Sequence, residues 1–394
     1  MLRILGGDVC KSSLVVWELS NNPTDLRREF RQNKRPKTED PMTFQLNSES
    51  VERFVKLTRG SQGLVLEPTG VNYSYLWKAI ASEHGIEVRW VSHPEIKHLR
   101  KSERLPDKND QADALALAVY GFRNWDNSEA FLYFNEGQIS RINEIYLDLK
   151  SLGRLKASII NRCRSKLSKE FPEAAFKKSP PSETDGLSPF FSYIAGVERF
   201  TDRGKNLYSG LYEKSVAPKY GVRISEYTKH LANQICENDT ITLKMRQELN
   251  LLVFASPEFE TYNKVFDNYN FGLMCRAMLL NRIYPLTRFK KLSSFKRRLG
   301  YGCEENSSGS VSRFKKAGSS IARTELHLWC RNTIARGCQT DSNICKQLEA
   351  KFLEVSEKIR QPTPKGAKFA DLANSRTVAV ALRWLYRDLR RACL

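Results

Sequence analysis

No apolar run in this 394-residue chain approaches the ~20 residues that a bilayer-crossing helix needs. The N-terminus, Met1-Leu-Arg-Ile-Leu-Gly-Gly-Asp8, has neither the apolar core nor the small-residue cleavage site of a secretory signal, so a cytoplasmic, nucleoid-associated protein is expected. Its nine cysteines include no C-x-x-C pair, which argues against a zinc ribbon and against a disulfide framework. Histidines number only five and none has metal-ligand spacing; His93 and His98 read as ordinary surface residues. Zinc chemistry is therefore not expected. No internal repeat is evident.

What the chain has instead is positive charge. A net +20 favours polyanionic partners, above all nucleic acid. Residues 1–135 carry 19 basic and 18 acidic residues, and the remainder carries 45 and 26, so the excess lies almost wholly in the later part. The front reads as a balanced domain and the back as the polyanion binder.

Hydrophobic periodicity predicts an α/β domain over 1–135. Strands fit Leu2–Asp8, Ser13–Leu19, Thr43–Leu46, Gly63–Glu67 and Ile86–Val91, with helices from Ser48 or Ser50 to Arg59, over Tyr73–Glu83 and from about Lys108 to Phe122. The polar stretch between the second and third strands reads as an inserted loop. A meander of three strands followed by βαβα is the order of the RNase-H-like fold. Beyond it, spacings of three and four from Gln138 to Phe171 predict one long amphipathic helix, which either dimerises as a coiled coil or packs within its own chain. The expected divisions are a coiled-coil helix over 136–175, a helical insertion over 176–256 and a basic, helical C-terminal domain over 257–394.

Three separate segments offer acids. Asp8 ends the first strand, Glu67 ends the fourth, and Asp110 and Asp113 sit on one face at the start of the last helix of the domain. Clustered carboxylates need a cation, and two Mg²⁺ ions ~4 Å apart could act on a phosphodiester. Taken alone, Asp110 and Asp113 could equally be helix N-terminal acids favoured by the helix dipole.

Gly7-Asp8-Val9-Cys10-Lys11, Leu66-Glu67-Pro68-Thr69-Gly70 and Lys108-Asn109-Asp110-Gln111-Ala112-Asp113-Ala114 resemble the three acidic motifs of the DEDD transposases, the insertion-sequence 110 family, akin to the Piv invertases. The resemblance implies a RuvC-like catalytic domain with Asp8, Glu67, Asp110 and Asp113 as Mg²⁺ ligands, and Lys11 beside them contacting nucleic acid. In the later part, Arg288-Phe289, Leu299-Gly300, Ser307-Ser308-Gly309, Lys316-Ala317-Gly318 and Arg323 match in order the family's C-terminal transposase pattern. That pattern contains the serine thought to form a 5′-phosphoserine link to DNA, which makes Ser308 the candidate nucleophile and Ser307 the second choice. By composition alone the segment would be an ordinary Ser/Gly-rich loop. Arg297, Arg298, Arg313, Lys315, Lys316 and Arg323 would hold phosphates. Asn161-Arg162 and Phe171-Pro172 resemble the end of the family's coiled-coil segment.

The match departs at Asn268-Tyr-Asn-Phe-Gly272, where relatives carry a Pro-Gly-Ile-Gly hairpin, and at Tyr301–Asn306, which lacks their proline. The resemblance further implies a DNA recombinase with donor and target DNA as substrates, a structured noncoding bridge RNA as guide and a homo-oligomer; because Ser308 and the acids fall in different expected domains, a composite site is expected, assembled within one chain or between subunits. The competing expectations are a Holliday-junction-type nuclease that uses water, and a catalytically inactive RNA- or DNA-binding scaffold.

Overall fold

Strand β1, Ile4–Val9, sits at the centre of a five-stranded sheet because its residues alternate between two buried faces. In the computed structural model, residues 2–36, 40–68, 71–107, 109–134, 136–197, 202–308, 311–337, 341–359 and 369–394 are described. Strand β2, Ser13–Leu19, runs antiparallel to β1, and β3, Thr43–Gln45, antiparallel to β2. On the other side β4, Gly63–Leu66, and β5, Glu87–Trp90, continue in parallel, giving the order β3-β2-β1-β4-β5. The helices of this first unit, Met1–Phe134, are α1 (Leu26–Asn33), α2 (Ser48–Thr58), α3 (Val71–Glu83), α4 (His93–Ser102) and α5 (Asp110–Asn124).

The sheet is covered on both faces. Ile4, Val15 and Val65 pack with α1, α4 and α5, whereas Leu5, Val16, Leu64 and Leu66 pack with Phe54 of α2 and Trp77 of α3. Helix α5 lies almost against the β1 backbone. A Cβ added at Gly6 would fall 2.1 Å from the Ala114 carbonyl oxygen and 2.2 Å from the Ala118 nitrogen, a contact that only glycine on the strand and small residues on the helix permit.

Two helices depart from expectation. Helix α1 lies in the segment expected to be a loop: Asp25 caps it by accepting from the Arg28 amide at 2.9 Å, and Leu26 and Phe30, one turn apart, bury beside Trp17. Helix α4 was not expected at all, although Ser92 and Glu95 form a reciprocal capping box around Pro94.

Among its described residues the second unit, Asn135–Leu394, is helical apart from one hairpin. It comprises α6 (Gly137–Glu170), α7 (Pro189–Ala195), α8 (Asp202–Glu213), α9 (Val216–Lys219), α10 (Glu226–Phe254), α11 (Glu260–Asp267), α12 (Leu273–Ile283) and α13 (Leu292–Arg298), then β6 (Gly302–Ser308) and β7 (Val311–Ala317), and finally α14 (Ser320–Trp329), α15 (Asn343–Ile359) and α16 (Phe369–Cys393). Helix α14 runs on into a π-helical turn over Cys330–Ile334. Among the described residues no helix is long and apolar enough to cross a membrane.

The long helix α6 exists, and its apolar stripe is used inside its own chain. Ile139, Ile142, Ile145 and Leu149 join a core with α12, α14 and α16, while Cys163 and Leu167 join a second core with Phe190 of α7 and Ile235 of α10. The segments expected at 136–175, 176–256 and 257–394 thus share cores. Leu147 and Leu155 stay exposed at 41% and 57%. Gly153, on an exposed turn of α6, has nothing within 4 Å of an added Cβ, so Gly153→Ala is expected to stabilise this unit by about 0.5–1 kcal/mol in urea titration. An unchanged midpoint would mean that the helix is not continuous there.

Candidate metal centre and basic hairpin

The alternation that builds the sheet also aims its acids. Asp8 shares the parity of Ile4 and Gly6, and Glu67, one residue past β4, shares that of Gly63 and Val65; both therefore belong to the face covered by α5. The parallel register pairs Gly7 with Leu66, and its next step brings Asp8 beside Glu67. Because Gly6 lets α5 press onto β1, the first turn of that helix, with Asp110 and Asp113, arrives at the same edge.

That first turn is held in place. Asn109 caps α5 by accepting from the Ala112 amide at 3.0 Å. Buried Gln111 accepts from the Arg35 amide at 3.0 Å and donates to Asp40 Oδ2 at 3.1 Å, and Arg35 Nε pairs with Asp40 at 3.2 Å. The segment after α1, expected to be a loop, is thereby a brace for the acids.

Ligand atoms of Asp8, Cys10 and Asp110 lie within 4.8 Å of one another. Glu67 and Asp113 stand close enough to act on Asp8 electrostatically, but each is met by a basic side chain: His93 Nδ1 contacts Glu67 Oε1, and Arg100 Nη1 lies 2.5 Å from Asp113 Oδ1. Burial, followed by the charges of Asp113, Asp110 and Glu67, pushes the Asp8 carboxyl up to about 7. Burial pushes Asp113 up to about 6, with Arg100 opposing it and Glu67 and Asp110 adding to it.

Such crowding costs free energy that a cation would relieve, and the oxygen donors suit a hard ion such as Mg²⁺. Cys10 does not belong to that donor set. Burial and then Asp8 and Asp110 push its thiol up, so it remains protonated near neutral pH and a poor ligand for Mg²⁺. Lys11 is exposed in the turn between β1 and β2.

His93, Arg100 and Cys10 were not expected beside the acids; His93 lies at the surface as expected, its side chain 67% exposed, and also contacts Glu67. A signal was available for it. His93 follows β5, and the carboxyl ends of parallel strands are where open α/β sheets assemble their sites.

The basic segment of the second unit is a hairpin where a loop was expected. Strands β6 and β7 pair from Gly302 with Ala317 to Ser308 with Val311. Ser308 thus ends β6. The side chains of Ser307, Ser308, Arg313 and Lys315 lie outside the described residues, as do Thr69, Gly70, Lys108, Gly309 and Ser310.

The residues singled out around the serine converge at the base of this hairpin. Gly300 has φ +82° and Gly318 φ +96°; a Cβ at Gly318 would lie 1.7 Å from the Arg297 carbonyl oxygen, and one at Gly300 2.2 Å from that of Ser319. Arg323 Nε donates to the Gly300 carbonyl at 2.9 Å, which makes it a clasp of this base. Phe289 and Leu299 are buried beneath. Arg297 pairs with Glu304, Arg298 is half-buried, and Lys316 is exposed.

No family model matches the chain, and no curated protein matches it in sequence. Among solved structures it is similar to T. thermophilus RuvC in complex with a Holliday junction substrate, at 14% identity over 33% of this chain and 98% of that one, with a TM-score of 0.22.

Proposed function

We propose that the chain is a Mg²⁺-dependent DNA-processing enzyme with an RNase-H-like catalytic unit, and that it cuts and rejoins strands as a transposase or recombinase. The observation that carries the first part is the convergence of Asp8, Glu67, Asp110 and Asp113, from three separate segments, at the carboxyl edge of the sheet with mutual charge repulsion. Bound there, Mg²⁺ would supply charge stabilisation to a phosphoryl oxygen. Asp8 and Asp110 would supply ligand oxygens to it, and Glu67 and Asp113 would be the further carboxylates within reach once released from His93 and Arg100. Cys10 stays a neutral thiol at the rim.

Rejoining requires that phosphodiester energy be conserved, and a protein nucleophile can do this. Ser308 is our candidate: attack by its Oγ on phosphorus would join the 5′-phosphate to the enzyme and release a 3′-hydroxyl. What supports it is the resemblance of its segment to the insertion-sequence 110 transposases, together with the meeting of the other matching residues at the hairpin base. A guide RNA and a homo-oligomer, which that resemblance implies, belong to the same proposal and are tested by sequencing RNA that copurifies with the protein.

Ser308→Ala is expected to abolish covalent protein–DNA adducts and strand joining by on the order of 10³-fold or more, ~4 kcal/mol of barrier. Its Mg²⁺-induced thermal shift should match that of the parent. A variant that still cuts but never joined DNA even as the parent would make the enzyme a water-using nuclease; one that still rejoins strands would remove Ser308 from the mechanism.

A further inference from the structure

Beneath the hairpin base lies a recess of ≈ 660 Å³, lined by Arg282, Phe289, Arg298, Gly318, Ser319 and Ser320 among others, a volume in the range of small-ligand sites. Two features make it unusual. The Nε atoms of both Arg282 and Arg298 are buried with no hydrogen-bond partner among the described residues. Burial, then the charges of Arg282 and Arg288, lowers Arg298 to about 10, so it remains a cation at neutral pH crowded by like charges. Arg297 at the rim is engaged with Glu304, which leaves that acid paired elsewhere.

The recess also receives the start of α14. Ser319 caps that helix by accepting from the Ala322 amide at 3.2 Å, and the first-turn amides of Ser320 and Ile321 have no acceptor among the described residues. Unsatisfied guanidinium donors beside a helix N-terminus are complementary to a tetrahedral oxyanion. The Gly300–Gly318 contact fixes α13, which carries Arg298, against the start of α14, so the donors are preorganised.

We propose that this recess is a dedicated site for one phosphodiester group of a nucleic-acid backbone, with Arg282 and Arg298 as its ligands and the amides of Ser320 and Ile321 completing it. The source of the phosphate rests on the reading of this protein as a DNA-processing enzyme; the anion site does not. It sharpens the general expectation of a basic surface, because it singles out Arg282, which no motif marks, and gives Arg323 a structural duty instead.

The test uses the full chain with inorganic phosphate and with a 20-base-pair duplex as probes. Melting temperature, followed at constant ionic strength, is expected to rise saturably with phosphate. Arg298→Gln, relieved of like-charge crowding, should melt higher than the parent without phosphate and lose the phosphate-dependent rise, and Arg282→Gln should repeat that result independently. Duplex binding by either variant should weaken about tenfold, with the slope of log affinity against log salt reduced by about 1. Variants that keep the phosphate rise, or that melt lower than the parent without phosphate, overturn the site. A lost phosphate rise with duplex affinity and salt slope unchanged overturns the backbone assignment, leaving a site for free phosphate. Absence of DNA cleavage in the parent would count against the catalytic proposal without touching this one, because the phosphate-dependent rise requires none of the acids of the first unit.

Discussion

Asp8→Asn is expected to lower Mg²⁺-dependent DNA cleavage by at least 10³-fold, ~4 kcal/mol, and at the same time to raise the melting temperature of the protein without metal by several degrees. The two effects have one cause. The Asp8 carboxyl is pushed up to about 7 from an ordinary value of 3.8, first by burial and then by three neighbouring acids. Between pH 4 and 7, roughly, the unfolded chain gives up a proton that the folded chain keeps, so stability without metal falls as pH rises through that window. Above it the penalty is complete. Mg²⁺ needs the ionised form, so the thermal shift it induces should be small at pH 5 and large at pH 8. Asparagine keeps the shape and removes the charge, so it should flatten the pH profile and abolish the shift together. A variant that is less stable than the parent at pH 8 and still responds to Mg²⁺ would show that Asp8 is a structural residue.

Gly6→Ala is expected to cost about 3 kcal/mol or more and to remove most of the activity, although it adds only one uncharged methyl group. The new Cβ would meet the Ala114 carbonyl oxygen and the Ala118 nitrogen, backbone atoms that can yield only if α5 moves as a body. Asp110 and Asp113 ride on that helix. Gly7→Ala is the control: its Cβ meets leucine methyl groups at 2.8 and 2.9 Å, which can rotate, and the loss should be smaller. Urea midpoints for the two variants decide the matter, and equal losses would mean that α5 does not depend on the contact at Gly6.

The acids stood out in the sequence because strand alternation and a terminating turn constrain where a side chain points; Asp8 lies one residue before the end of β1 and Glu67 one residue past β4. Their counter-ions did not. Arg100 reaches Asp113 only through the packing of α4 on α5, a relation with no sequence period. Helix α1 escaped notice because two apolar residues, Leu26 and Phe30, suffice to dock eight mostly charged ones. Helix α4 carries a Ser-x-x-Glu signature at Ser92 and Glu95, a start signal that is legible in the sequence. The hairpin β6–β7 reads as a loop because its polar sequence, GCEENSS and VSRFKKA, shows no clean alternation over an apolar face. The stripe on α6 repeats as a coiled coil would, but periodicity describes a surface and not its partner, and much of that surface is taken by α10 and α12 of the same chain.

The glycine contact at the foot of the hairpin has a mechanical meaning. Ser308 stands at the far end of a seven-residue strand whose foot is clasped by Gly300, Gly318 and Arg323. At ~3.3 Å per residue the serine backbone lies about 20 Å from that pivot, so a tilt of about 10° at the foot sweeps it through about 3.5 Å. For the proposed nucleophile, that is the difference between touching a phosphate and missing it. If Ser308 is the nucleophile proposed above, a hairpin anchored in this way would work as a lever, and a phosphate held by Arg298 and the start of α14 would press on its short arm.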